Sequence, residues 1–238
     1  MISDMADGRA TTRADFVHAQ VREEILGGAL PPGHRLRLAE LAERFTVSQS
    51  VIREALTRLA EQGLAVALPQ QGFRVITLSR DDLNNVTEAR VQVEGLVLAL
   101  AIQRGDLGWE SAVVAAHHHL ANTPETRPDG NPGTDWFAVH ERFHRTLLDG
   151  CGNSRLIATA ISLRDAAALY RRWSRPVGHD YDRDFRAEHQ ALLDAVLARD
   201  TQAAVTVLQR HIERTSDAMR AVADGQDDDP LTQAGPRG

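Results

Sequence analysis

The apolar positions of the first eighty residues change period twice. Phe16, Val17, Val21 and Ile25 recur at helical spacing between Ala14 and Leu26. Gly27-Gly28 ends that helix, and Pro31-Pro32-Gly33 predicts a turn. A short helix follows, with Leu38, Leu41, Ala42 and Phe45 on its apolar face. Thr46-Val47-Ser48 interrupts it, and Ser48 reads as the N-cap of the next helix. That helix runs to about Gln62 with Val51, Ile52, Ala55, Leu56 and Leu59 turned inward, and Gly63 stops it. The period then shortens. Two β-prone runs, Leu64–Leu68 and Phe73–Leu78, flank Pro69-Gln70-Gln71-Gly72 and predict a hairpin.

Beyond Ser79 the pattern is helical almost throughout. The spacing predicts helices over roughly 81–104, 109–121, 134–150, 154–174, 182–198 and 201–222. Asn122–Thr134, rich in Pro and Gly, is the longest irregular stretch between them. Residues 1–12 lack periodicity, and 224–238 have a disorder-prone composition. The expected fold is mainly α: a winged helix-turn-helix over 13–78, a very short linker, then an all-α antiparallel bundle over 81–223.

The chain of 238 residues is 42% apolar and 25% charged, enough to bury two cores. One cysteine, Cys151, excludes an internal disulfide framework and suits a reducing cytoplasm. No apolar run approaches the roughly 20 residues that span a bilayer, and the polar N-terminus does not read as a signal peptide. A soluble cytoplasmic protein with no membrane partner is expected. The net charge of −6 argues against nucleic acid, but the sign is uneven. Residues 1–80 hold 10 Arg against 9 Asp and Glu, whereas 81–238 hold 17 against 24. All 27 basic residues are Arg, whose guanidinium forks phosphate and guanine edges, so local pattern decides.

In a winged helix-turn-helix the N-terminal end of the second helix of the pair enters the major groove. Here that end carries Ser48, Gln49, Ser50 and Arg53. Ser and Gln bond base edges or phosphates, and Arg53 suits a phosphate or a guanine. Arg37, at the start of the preceding helix, is a weaker candidate for a phosphate contact. The hairpin tip, Gln70-Gln71-Gly72, suits the neighbouring backbone or minor groove. The plainer alternative is a small domain with solvated arginines.

The detailed string adds a resemblance. Leu30-Pro31-Pro32-Gly33-His34-Arg35-Leu36, Leu41-Ala42-Glu43-Arg44-Phe45-Thr46-Val47-Ser48, Val51-Ile52-Arg53-Glu54-Ala55-Leu56, Arg58-Leu59-Ala60-Glu61-Gln62-Gly63-Leu64 and Gly72-Phe73-Arg74-Val75 occur in this order. Residues 14–77 thereby resemble the GntR family of bacterial transcription regulators. The resemblance implies a homodimer reading a palindromic operator in double-stranded DNA, with contacts from Ser48, Gln49, Ser50, Arg53 and the wing around Gly72. The family usually has Arg where this chain has Gln49, and Thr-Pro where it has Ser50-Val51. Gln49 favours adenine where Arg favours guanine.

The second half is notable for histidines on apolar faces. His140 and His144 are four apart, hence on one helix face, among Trp136, Phe137, Phe143, Leu147 and Leu148. His189 has Phe185, Leu192, Leu193 and Val196 at helical offsets, and His211 has Ala204, Val207 and Leu208. A single inward histidine is ordinarily a satisfied core hydrogen-bonder. Four are costly to bury without partners, at about 1–3 kcal/mol each, and one divalent metal would satisfy a nitrogen on all of them. His117-His118-His119 spans most of a helix circumference and reads as mainly solvated. His140-Glu141-Arg142-Phe143-His144 also fits H-E-x-x-H, the zinc-protease motif. Its extended form is absent, because Leu147 and Gly150 stand where a glycine and a third histidine belong. A metal-dependent hydrolase is the alternative function.

Glu88-Ala89-Arg90, Glu94, Leu100-Ala101, Phe143-His144-Arg145, Leu147, Gly152-Asn153, Leu156, Glu188-His189, Asp200, Ala203-Ala204 and His211-Ile212 are similar to the FCD ligand-binding domain of FadR-type GntR regulators. This resemblance spans about 82–220. It implies a divalent transition metal such as Zn or Ni, held in many members by one Asp and three His. The matching positions are His140, His144, His189 and His211, with His140 where the family usually has Asp. Either the site is four-His, or Glu141 joins as the carboxylate. Four imidazoles favour borderline metals over Mg or Ca, and an octahedral ion keeps two positions for water or an effector carboxylate. Arg90 pairs with Glu94 at i+4 or, as the resemblance implies, points into an effector cavity. Asn153 is an N-cap or an effector contact, and Arg164 is a further effector-binding candidate. The expected function is a repressor that senses a small carboxylate metabolite.

Overall fold

The computed structural model describes residues 12–69, 71–77, 79–124, 134–174 and 184–224. The expectations of disorder for 1–11 and 225–238, and Gln70 of the wing tip, lie outside the described residues. Thr12 and Asp224, assigned by sequence to the irregular ends, belong to ordered elements. Thr12 caps the first helix, and Asp224 ends the last. The described residues form two compact units, the first of residues up to Ser79 together with Ala168–Trp173, the second of Arg80–Ala167 together with the described residues from Ser174 on.

The first unit begins with α1 (Arg13–Leu26). Its N-terminus is a reciprocal capping box: the Asp15 amide donates to Thr12 Oγ1, and the Thr12 amide donates to the Asp15 carboxylate. The Arg58 guanidinium, 2.7 Å from Asp15, and Thr12 hold the Asp15 carboxyl well below the usual carboxylate range. Val17, Val21 and Ile25 of α1 are fully buried; Phe16 instead lies outside, edge-on to Phe45 at 6.2 Å. Next come β1 (Arg35–Leu36), α2 (Leu38–Phe45), α3 (Gln49–Glu61), β2 (Ala65–Leu68) and β3 (Gly72–Val75). The predicted hairpin is β2–β3, and β3 also pairs antiparallel with β1, giving the order β1-β3-β2. Two residues are too short to show a period, so β1 was invisible in the sequence. Register sets Leu36, Phe73, Val75 and Ala65 inward, with Ile52, Ala55, Leu56 and Leu59 from α3. Val51 is only half-buried.

The α2–α3 turn is made by Thr46 at φ 54°, ψ 48°. A β-branched residue is strained in this left-handed region, by about 1–2 kcal/mol relative to glycine. Thr46→Gly is expected to stabilise the first unit by about 1 kcal/mol, part of the relief being offset by glycine's greater freedom when unfolded. Calorimetry would show its transition rising by a few degrees; a fall would mean that the Thr46 side chain holds the turn.

The second unit is helical: α4 (Arg80–Arg104), α5 (Leu107–Ala121), α6 (Thr134–Asp149), α7 (Ser154–Ser174, all but Ala168–Trp173), α8 (Phe185–Leu197) and α9 (Thr201–Asp224). α4 packs on α9 and α6, α5 on α6 and α8, and α8 on α9. The core joins Val97, Leu98 and Ala101 of α4 to Val113, Phe143, Leu147, Val196, Ala204 and Leu208. Trp109 fastens α5 to α6, donating from Nε1 to the Thr146 carbonyl at 2.9 Å. Its ring lies so close to Gly105 and Gly150 that a Cβ at either would come within 2.2 and 2.8 Å of it. Cys151 is a buried free thiol. Among the described residues no helix is long and apolar enough to cross a membrane.

Candidate metal centre and nucleic-acid interface

At the start of α3, Ser48 holds the N-cap backbone position, but its side chain makes no cap hydrogen bond. Its hydroxyl pairs with that of Ser50 at 2.8 Å instead. Ser48, Gln49, Ser50 and Arg53 are all exposed, and no acidic residue occupies the first turn of α3. Arg37 is exposed and ion-paired with Glu40 at 2.7 Å, so a phosphate would compete with that carboxylate. Gln71 is exposed, and Gly72 opens β3 at φ +83°, a conformation that only glycine adopts without strain.

In the second unit the inward stripes of α6, α8 and α9 bring four histidines together. His140, His144, His189 and His211 are all buried, and one ligand atom from each lies within 4.8 Å of every other. Ring centroids are between 4.5 Å (His140–His144) and 5.9 Å (His140–His211) apart. The Nε2 atoms of His144 and His189 are 3.3 Å apart. Two nitrogens each about 2.0–2.1 Å from one ion are separated by about 3.0 Å at a right angle and about 3.3–3.4 Å at the tetrahedral angle, so this distance suits two ligands of one ion. Trp136 stacks on His140 at 4.8 Å, and Phe143 presents edges to His144 and His189. This apolar wall desolvates the rings. Burial first, then the Arg164 charge and the other three imidazoles, push the His144 pKa well below its ordinary value, which keeps the ring neutral. His144 Nδ1 is buried with no hydrogen-bond partner among the described residues. Four buried imidazoles at ligand spacing form a donor set that fits a divalent transition metal.

A network of buried charges lies beside this cluster. Arg164 donates from Nη1 to Glu94 at 2.7 Å and from Nη2 and Nε to Glu141 at 3.2–3.3 Å. Arg90 donates from Nε to the other Glu94 oxygen at 2.6 Å. Arg90, Glu94 and Arg164 are each at least 95% buried. Burial alone would raise the Glu94 pKa, but Arg90 and Arg164 outweigh it and hold the carboxyl below its usual range. The i+4 spacing of Arg90 and Glu94 announces the pair, and the structure shows it buried. Arg164 has Ile157, Ala160, Ile161, Ala167 and Ala168 at helical offsets, but nothing in the sequence links it to that pair.

The other candidates fall elsewhere. Asn153 is exposed at the N-cap of α7, its amide oxygen accepting from the Arg155 and Leu156 amides, so the capping alternative describes it. His118 and His119 are exposed as expected, but His117 is buried against Phe143 at 5.4 Å. Glu141 does not join the four-residue ligand cluster: its carboxylate is held by Arg164 and is 3.8 Å from His140 Nδ1. A hydrolase would need that carboxylate beside an open metal position.

Comparison with known proteins gives the lineage. Residues 13–75 match the model of bacterial regulatory proteins of the gntR family, and residues 85–214 match the FCD domain. The chain is 32% identical to the HTH-type transcriptional repressor GlaR of Escherichia coli over 81% of this chain and 89% of that protein. It is 30% identical to the HTH-type transcriptional regulator BphR of Paraburkholderia xenovorans over 91% and 88%. Among solved structures, E. coli McbR/YncC superposes with a TM-score of 0.73 at 19% identity, covering 88% of this chain and 98% of that one, which supports the fold. These relatives are regulators rather than enzymes, and the hydrolase reading falls with them. The chain belongs to the GntR family of DNA-binding transcriptional regulators, in the FadR-type branch that carries an FCD domain.

Proposed function

We propose that the chain represses transcription as a homodimer on a palindromic operator, and that a small carboxylate metabolite relieves this by binding at a Zn or Ni ion held by His140, His144, His189 and His211. The observation that carries the sensing half is the convergence of four buried imidazoles from three helices. A divalent ion on four neutral imidazoles carries two positive charges that its direct donors do not offset, at a buried site. The nearby Glu94 and Glu141 are already engaged by arginines. An external anion is then the natural counter-charge. Arg90 and Arg164 meet the effector in this reading with the donors that Glu94 and Glu141 leave over. Glu141 stays outside the ligand set.

The DNA half rests on the exposed Ser48, Gln49, Ser50 and Arg53, with Arg37, Gln71 and Gly72 flanking. Fluorescence anisotropy on the DNA upstream of this gene, with chelated and Zn-loaded protein and a panel of carboxylic acids, tests both halves. One acid should weaken binding at least tenfold, about 1.4 kcal/mol of coupling, and His144→Ala should abolish the response. If every acid leaves the loaded protein's affinity unchanged, the ion is structural and the sensing half fails.

Arg53→Ala should weaken operator binding by about 1–3 kcal/mol if the guanidinium reads a base. A phosphate contact would show instead as a salt slope smaller by about 1. Metal content should not change. Intact binding with an unaltered slope would displace the reading helix from the duplex.

A further inference from the structure

The four imidazoles differ in what lies behind them. His211 Nδ1 is 2.8 Å from Glu188 Oε2, and the other Glu188 oxygen is 3.5 Å from Arg214 Nη1. Glu188 is in the first turn of α8, where the helix dipole favours a carboxylate, and His189 is the next residue. Successive helical residues point about 100° apart, so one turn of α8 sends His189 into the cluster and Glu188 onto the ring of α9.

We infer that Glu188 is a positioning residue of the histidine centre: its carboxylate accepts the Nδ1–H of His211 and thereby commits Nε2 to the ion. An imidazole carries its proton on either nitrogen, and only the bare nitrogen ligates. A carboxylate on Nδ1 selects the tautomer with Nε2 bare, stops the ring from flipping and makes Nε2 a stronger donor. Arg214, one turn after His211 on α9, steadies the far oxygen of Glu188. α8 and α9 are thus joined twice, by the ion through His189 and His211 and by the Glu188–His211 bond behind it. The inference rests on the metal reading above and assigns the outer shell which that reading leaves open.

The test uses the full-length chain, stripped with chelator and titrated with Zn against a chromophoric competitor, and separately with Co as a spectroscopic probe. Glu188→Ala should weaken Zn binding about 10–100-fold. Glu188→Gln, whose amide oxygen still accepts the Nδ1–H without the charge, should fall between it and the wild type. The visible bands of the Co-saturated protein should shift in Glu188→Ala, a signature that a packing role would not produce. The stripped variants should melt within a degree or so of stripped wild type; should alanine disturb the fold, the near-isosteric Gln variant decides. Wild-type Zn affinity and an unshifted Co spectrum in both variants would overturn the role of Glu188 and leave the centre standing. Failure of the wild-type chain to take up Zn or Co would overturn both.

Discussion

Replacing Arg164 by methionine should destabilise the helical unit by about 3–5 kcal/mol, the cost of breaking a buried ion pair by removing one partner. Methionine keeps most of the volume, so the loss is electrostatic. Arg90, Glu94, Arg164 and Glu141 form a neutral quartet, and deleting one guanidinium leaves a net negative charge on a site where Glu94 is fully buried. Arg90 remains, but it reaches one oxygen of Glu94 while Arg164 holds the other. Glu94→Gln should cost a comparable amount, since both arginines lose their shared counter-charge. Combining Arg164→Met with Glu94→Gln should cost less than the two added, because each change removes the charge that the other exposes. Urea unfolding of the four proteins would show it as lower midpoints at unchanged slope. A loss below 1 kcal/mol for Arg164→Met would mean that water reaches Glu94 and that the quartet is not a sealed unit.

That quartet also marks the limit of what periodicity conveys. The histidines were legible because each sits in an apolar stripe of its own helix, and His140 and His144 share one by their spacing. A stripe states that a residue faces inward, and four inward imidazoles on three helices point to one shared cluster. Arg164 sits in an equally apolar stripe, yet a long arginine can snorkel to water from such a position, so its neighbours do not decide its burial. Only the packing of α4, α6 and α7 around Glu94 does. Glu188 was hidden for a related reason: its partner lies 23 residues away on another helix. The winged module was read through its turns and helix faces. Its missed parts, β1 and the left-handed Thr46, depend on pairing and backbone conformation rather than on apolar order. Asn153 shows the converse, since its cap role follows from local geometry alone and needed no cavity.

Withdrawal of the metal should have the other large effect. At free metal about 1,000-fold above its Kd, an ion that binds only the folded chain adds about 4 kcal/mol of stability. For a unit of this size that corresponds to roughly 8–16 °C in Tm between the Zn-loaded and the stripped protein. His144→Ala and His189→Ala should erase most of that difference, because the loaded variants lose one of two ligands that face each other at 3.3 Å. The pH dependence has a definite sign. Burial depresses the folded-state pKa of His144 below the ordinary value of 6.5, so the unfolded chain takes up a proton before the folded chain does. Stability of the stripped protein is therefore fully present above about pH 6.5 and declines as pH falls below it. Protons also compete with the ion for the same nitrogens, so the metal-dependent increment shrinks over that same range. Calorimetric scans of loaded and stripped protein between pH 5 and 8 would resolve the two effects. Equal melting of the two forms at pH 8 would show that the four rings hold no ion and pack as hydrogen-bonded core residues.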